Sequence, residues 1–313
     1  MEVVATAEHP LDAREKIKQF NPDVLTLDIE MPKMDGITFL RNLMRLRPMP
    51  VVMISNLTQK GALATLDALS IGAVDYVAKP QGNAWDGLSS YADEIQGKVR
   101  NAANANLLAY EKIIERKSVE AINGNYDKRK VIVIGSSTGG TEAISDILHS
   151  MPENCPPILL AQHIPAAFSA SFAHRLNTRS IIKVHEATTG LRLEPGNAYL
   201  APGDFHLEIK ERNGHLVTFL SDSDKFNGHK PSVDILFKSV VQFVGKYTVG
   251  AILTGMGNDG AQGLKEILDA GGTTFAQDEE TSIVWGMPGS AVRLNAVQKI
   301  LPIGQISRAL LDA

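Results

Sequence analysis

The chain has one cysteine, Cys155, among 313 residues. A single thiol makes no intrachain disulfide and cannot build a cysteine-rich zinc site. Positive charge is not in excess. Lys and Arg number 31 against 35 Asp and Glu, a net charge of −4, so no global basic field exists to hold nucleic acid or anionic lipid. Long apolar runs are missing too. Val131 to Ile134 and Pro157 to Ala161, among the longest, fall far short of the roughly 20 residues that span a bilayer. Met1-Glu2-Val3-Val4 carries an acid where a signal peptide would carry positive charge. There is no internal repeat and no low-complexity tract. These absences predict a soluble, reduced, cytoplasmic protein with no membrane insertion and no nucleic-acid partner. What remains is an ordinary globular composition, 44% apolar and 21% charged, which excludes a largely disordered or collagen-like chain. The length predicts two domains, at roughly 150 residues each.

Residues 1–80 alternate strand and helix signals. Glu2 to Ala7 reads as a strand. Leu11 to Phe20 reads as a helix, with Leu11, Ala13, Ile17 and Phe20 as apolar contacts. Strand signals return at Asp23 to Ile29, Met49 to Ser55 and Val74 to Val77, with helices at Met34 to Leu46 and Thr58 to Ile71 between them. Such alternation predicts a parallel sheet covered on both faces. A last helix is predicted over about 85–104. Residues 105–130 hold Lys112, Glu115, Arg116, Lys117 and Glu120 and end in Asp127-Lys128-Arg129-Lys130. They read as a solvated linker rather than a nucleic-acid patch. A second α/β pattern begins at Val131. Val131 to Ile134, Pro157 to Gln162 and Thr248 to Leu253 are buried-type strands, and Val233 to Phe243 and Ala261 to Leu268 are amphipathic helices. Asn197 to Ser221 alternates around Asn213-Gly214 and predicts a β-hairpin. The expected boundaries are 1–104, a linker over 105–130, and 131–313.

Two constellations carry chemistry. In the first, three strands of the N-terminal half end in polar groups: Asp28, Ser55 and Lys79. The carboxyl ends of strands in an open α/β sheet form its reactive crevice. A carboxylate acceptor, a hydroxyl and a lysine there suit a phosphoryl group. This set resembles the receiver domain of two-component response regulators, a flavodoxin-like fold. The resemblance implies Asp28 as phospho-acceptor, Ser55 as switch hydroxyl, Lys79 as phosphate-contacting lysine, and Mg²⁺ as the metal for phosphorylation. Receivers begin with a strand ending in the paired acids that hold Mg²⁺. Here Met1-Glu2-Val3-Val4 matches the family's second strand. With a sheet order of 2-1-3-4-5, the strand with no counterpart is an interior one. The expectation is therefore a receiver lacking its first strand and helix, truncated or started at an internal methionine, that binds Mg²⁺ and phosphorylates poorly.

In the second constellation, strand Val131 to Ile134 runs into Gly135-Ser136-Ser137-Thr138-Gly139-Gly140 and then a helix. This fits G-x-S-x-G in a strand–turn–helix context, which presents a serine near free backbone N–H groups. The same loop also suits phosphate cradling, with Ser137 as a helix cap. A nucleotide reading is weaker, because G-x-G-x-x-G and a Walker lysine are absent. A nucleophilic serine needs a base. His163 closes the next buried strand, in Gln162-His163-Ile164-Pro165. An orienting carboxylate is available in Asp259, within Thr254-Gly255-Met256-Gly257-Asn258-Asp259-Gly260 after a third strand.

Together these segments look like the chemotaxis-specific protein-glutamate methylesterases, the CheB family, over nearly the whole chain. That resemblance implies a doubly wound, mostly parallel α/β hydrolase-type effector domain with a β-hairpin insertion. It implies Ser137 as nucleophile, His163 as general base and Asp259 as imidazole partner, with Thr138 and the backbone of Met256 near the oxyanion. It further implies methyl-accepting chemotaxis receptors as substrates, glutamine deamidation as a second activity, a chemotaxis histidine kinase as phosphodonor, and no metal for the hydrolysis. His229-Lys230-Pro231-Ser232-Val233-Asp234 resembles a family segment lining the site and is given no catalytic role. Two alternatives stay open. One is a hydrolase pairing Ser137 with His229 or His206 and with Asp204 or Asp222. The other is a non-enzymatic response regulator whose output domain binds a nucleotide or a partner.

Overall fold

The computed structural model of the chain describes residues 1–56, 58–79, 88–109, 124 and 126–313. The chain divides into two units, Met1–Leu107 and Leu108–Ala313. Most of the segment read as a linker, 110–123 and 125, lies outside the described residues.

The first unit runs α1 (Pro10–Phe20), β1 (Leu25–Asp28), α2 (Gly36–Leu46), β2 (Val51–Ser55), α3 (Gln59–Ile71), β3 (Asp75–Ala78) and α4 (Leu88–Ala103). Its strands form a parallel sheet in the order β1-β2-β3. Val51, Val52 and Met53 of the central strand are fully buried, as a strand covered on both faces requires. Side chains start the helices. The Asp35 carboxylate accepts the Thr38 N–H at 2.8 Å ahead of α2, and the Thr58 hydroxyl accepts the Gly61 N–H at 3.0 Å ahead of α3. On α1 the buried positions are Pro10, Ala13 and Ile17. Their spacing of three and four leaves Leu11 and Phe20 on the exposed side, contrary to the reading of those two as core contacts. The expected strand at Glu2 to Ala7 does not form. Those residues are exposed and without regular structure. The described residues contain no interior strand between them and β1, so a strand there would have no ladder to complete its N–H and C=O groups.

The second unit is built on a seven-stranded sheet. Its strands are β4 (Val131–Ser136), β5 (Ile158–Gln162), β6 (Lys183–Glu186), β7 (Asn197–Leu200), β10 (Thr248–Ile252), β11 (Thr273–Gln277) and β12 (Lys299–Leu301), in the order β12-β11-β10-β4-β5-β7-β6. Every neighbouring pair is parallel. Helices α5 (Gly140–His149), α6 (Ala166–Arg179), α7 (Val233–Val244), α8 (Ala261–Asp269), α9 (Met287–Arg293) and α10 (Ile303–Asp312) join and cover the strands. The hairpin is shorter than its alternation suggested. It comprises β8 (His206–Arg212) and β9 (His215–Ser221), closed by Asn213 and Gly214 at φ 52° and 74°, the left-handed pair a two-residue turn needs. Asn197–Leu200 instead joins the main sheet, between β5 and β6.

The chain leaves β4 toward β5 and returns to place β10 on the other side of β4. Strand order therefore reverses between β4 and β10, and a crevice opens there at the carboxyl edge. Helix α7 seats tightly beside it. A Cβ on Gly135 would lie 2.1 Å from Val233 Cγ1, and one on Gly260 would lie 2.4 Å from the same atom. Further along α7, Phe237 is fully buried, and a Cβ on Gly263 of α8 would come within 2.7 Å of its Cβ. Deleting a buried phenyl costs about 3–5 kcal/mol through lost burial and the cavity left behind. Phe237→Ala is expected to lower the urea midpoint of the second unit accordingly, and an unchanged midpoint would refute this account of its core.

Candidate active site

Three loops meet at the carboxyl edge of the large sheet. The β4–β5 register pairs Ser136 with Gln162, and the His163 N–H donates to the Ser136 carbonyl at 3.2 Å. The Ser137 N–H donates to the Thr254 carbonyl at 3.1 Å. The segments after β4, β5 and β10 are thus joined backbone to backbone. Gly139 makes the turn into α5 at φ 77°, where a Cβ would also strike Ile283 at 2.6 Å. The Gly140 N–H donates to the Ser137 carbonyl at 2.8 Å. Ser137 therefore sits half-buried on a sharp turn at the start of a helix, where backbone N–H groups lack intrahelical partners.

His163 and Asp259 are brought together. His163 Nε2 donates to Asp259 Oδ2 at 2.8 Å. Asp259 is fully buried and accepts three more bonds from the start of α7. These come from the Ser232 hydroxyl at 2.8 Å, the Val233 N–H at 2.8 Å and the Asp234 N–H at 3.1 Å. Burial alone would raise its pKa. The hydrogen bond and charge of His163 and the two α7 amides outweigh burial and hold the carboxyl below its ordinary range. An ionised Asp259 fixes the proton of His163 on Nε2 and leaves Nδ1 as the acceptor nitrogen. Nδ1 is buried and makes no hydrogen bond, so the Ser137 hydroxyl is not bonded to it. One face of the His163 ring is covered by His229, with centroids 3.8 Å apart and planes 6° from parallel. Burial, then the charge of His163, lowers His229 to about 4.

The remaining sequence candidates are placed as follows. Thr138 is buried, and its carbonyl accepts the Thr254 hydroxyl at 2.9 Å. Met256 is exposed, on a loop fixed by the Gly286 and Met287 N–H groups, which donate to the Gly255 carbonyl at 3.1 and 2.8 Å. His206 uses both ring nitrogens on backbone groups, accepting the Ser232 N–H at 3.1 Å and donating to the Asp224 carbonyl at 3.0 Å. Asp222 pairs with Lys230 at 2.6 Å, and Asp204 occupies an exposed turn at φ 65°. Sequence reasoning missed Gln162 and Ser232. Both stood in quoted segments, Gln-His-Ile-Pro and His-Lys-Pro-Ser-Val-Asp, but no local signal pointed to their partners across the fold.

In the first unit, Lys79 Nζ lies 2.5 Å from Asp28 Oδ2, and the Glu30 N–H donates to Asp28 Oδ1 at 3.0 Å. The Ser55 side chain bonds to α3. Its hydroxyl is buried, accepts from Thr65 Oγ1 at 2.8 Å and reaches the Gly61 carbonyl at 3.3 Å. Donors for the implied Mg²⁺ are scarce. Both Asp28 oxygens are committed, and Glu30 Oε2 accepts the Asn56 amide at 3.0 Å. Among the described residues no group of three His, Cys, Asp or Glu side chains is placed to hold a metal ion. Asp28 and Glu30 would have to share or release these contacts to ligate a divalent metal, which takes one or two carboxylates with water and phosphate.

Comparison with known proteins agrees with this layout. A family model described as CheB methylesterase matches residues 132–310, and one described as response regulator receiver domain matches residues 1–84. The protein-glutamate methylesterase/protein-glutamine glutaminase 2 of Saccharophagus degradans is 51% identical over 311 residues, covering 98% of this chain and 89% of that protein. The protein of the same name, without a number, from Nitrosomonas europaea is 49% identical over 317 residues, covering 99% and 88%. Among solved structures, the Thermotoga maritima CheB methylesterase catalytic domain aligns with a TM-score of 0.57 at 41% identity, covering 58% of this chain and 97% of that one. The chain therefore belongs to the CheB methylesterase family, with a receiver domain ahead of its methylesterase domain.

Proposed function

We propose that this chain hydrolyses glutamate methyl esters on methyl-accepting chemotaxis receptors, and deamidates receptor glutamines, through Ser137, His163 and Asp259. The observation that supports this most is the buried His163–Asp259 bond with His163 Nδ1 left uncommitted. Ser137 Oγ attacks the ester carbonyl while His163 Nδ1 takes its proton. The C–O bond to the methoxy group breaks, and His163 returns the proton to the departing oxygen, releasing methanol. Water then attacks the acyl-enzyme and gives one proton to Nδ1, Ser137 leaves with that proton, and the freed glutamic acid loses its remaining proton to solvent to become the carboxylate. A glutamine follows the same course with ammonia as leaving group. Asp259 stays ionised and stabilises the imidazolium. Thr138, together with the Met256 backbone, is assigned to the oxyanion. These groups carry every proton and acyl transfer between them, so the hydrolysis calls for no cofactor.

Residues 1–104 serve as receiver, 105–130 as linker and 131–313 as methylesterase domain. Asp28 accepts a phosphoryl group from the chemotaxis histidine kinase, with Lys79 neutralising charge and Ser55 as the switch hydroxyl. No described helix is long and apolar enough to cross a membrane, and the chain is assigned to the cytoplasm.

Ser137→Ala is expected to abolish methanol release from methylated receptors, followed by His163→Ala and then Asp259→Ala in severity, with losses up to about 10⁴-fold in kcat. Full release by the serine variant would end the mechanism. Acid should weaken the site through His229. In the folded chain it stays neutral down to about 4, whereas its ordinary value is 6.5. Between those values the unfolded chain binds the extra proton, so stability falls as pH falls. Asp259, held low, keeps its contribution through that window and loses it only below the ordinary carboxylate range. His229→Gln is expected to flatten the decline in urea midpoint between about pH 6.5 and 4; an identical slope would exclude His229 as its source.

A further inference from the structure

The G-x-S-x-G turn holds two adjacent serines, and the catalytic assignment uses only the second. Ser136 is fully buried, and its hydroxyl donates to Gln162 Oε1 at 2.6 Å. The other end of the same amide is equally committed. Gln162 Nε2 donates to the Ser137 carbonyl at 2.9 Å and to the His163 carbonyl at 3.1 Å. Gln162 itself is 3% exposed. The amide orientation follows from its partners. Reversed, its oxygen would face two carbonyl oxygens that have no proton to give. Gly140 keeps the space clear, since a Cβ there would fall 2.2 Å from Gln162 Oε1 and 2.6 Å from Ser136 Oγ.

The place of this amide in the sheet is informative. The β4–β5 ladder ends with the His163 N–H bonded to the Ser136 carbonyl. The paired register stops at Ser136 and Gln162, and the next residues outward are Ser137 and His163. No strand pairing fixes their separation. We propose that Gln162 is a positioning residue that extends the ladder by one side-chain rung, holding the peptides of Ser137 and His163 at a set distance, and that Ser136 holds the Gln162 amide in the orientation this requires. The proposal rests on the assignment of Ser137 as nucleophile and His163 as base. Its physical basis is the steep dependence of acyl transfer on the placement of the reacting groups. A misplacement of about 1 Å costs on the order of 10²-fold in rate. A buried amide with its oxygen and both N–H groups bonded is a rigid spacer, because releasing any one bond leaves a desolvated polar group.

The test uses the full chain, methylated receptors and methanol release, with circular dichroism confirming the fold of each variant. Gln162→Met keeps side-chain length and removes all three bonds. It is expected to lower kcat by about 10²-fold with KM nearly unchanged, the pattern of lost transition-state geometry rather than lost binding. Ser136→Ala is expected to lower kcat by about 3- to 10-fold, and to have no further effect in the Gln162→Met background, because Ser136 acts only through the amide. A merely structural role would lower the melting temperature while leaving kcat of the folded enzyme intact. Wild-type kcat in folded Gln162→Met, or an undiminished effect of Ser136→Ala in that background, would overturn the proposal. Should Gln162→Met not fold, wild-type kcat in Ser136→Ala would overturn it alone. Ser137→Ala run alongside separates the two levels: activity in that variant refutes the triad assignment, whereas its inactivity beside fully active Gln162 and Ser136 variants refutes only the positioning role.

Discussion

The site depends on one buried charge. Asp259 has no solvent exposure, and an ionised carboxylate in that setting is costly unless its oxygens are satisfied. Here four donors satisfy them, and three belong to the start of α7. The helix terminus supplies free amides and a favourable dipole at no extra ordering cost, since the helix is packed anyway. Removing that helix start would leave His163 facing a carboxylate better kept protonated, and the imidazole would lose the group that fixes its tautomer. The packing of Val233 against Gly135 and Gly260 is thus part of the electrostatics. It sets the α7 amides over the end of β4, where the carboxylate needs them.

This arrangement also explains why three distant segments converge. β4 carries the serine, its neighbour β5 carries the histidine, and β10 on the opposite side leads to the aspartate. His163 and Asp259 follow strands that are not neighbours. They meet because α7 holds Asp259 from above rather than because the sheet places them side by side. The doubly wound order supplies the crevice, and the helix supplies the link across it.

Much of this was legible in the sequence. The buried strands, the glycine turn, and the Ser, His and Asp at three strand ends follow from local patterns that sterics and burial impose. The short strands β6, β11 and β12 were not legible, because three to five residues carry little periodic signal. The strand expected at Glu2 to Ala7 shows the converse. Its local propensity is adequate, but a strand exists only with a partner, and pairing is not a local property. Gln162 and Ser232 were invisible as parts of the site for the same reason. Their hydrogen bonds run to residues 25 to 27 positions away. The stack of His229 on His163 likewise joins loops that no spacing rule connects.

One detail of the imidazole has a mechanical consequence. The uncommitted nitrogen is Nδ1, the ring atom nearer the backbone, while the far nitrogen is anchored to Asp259. Both nitrogens lie off the Cβ–Cγ axis, so any turn of the ring displaces Nδ1 and breaks the Asp259 bond together. The buried bond is therefore a latch: it fixes the position of a nitrogen that takes no part in it.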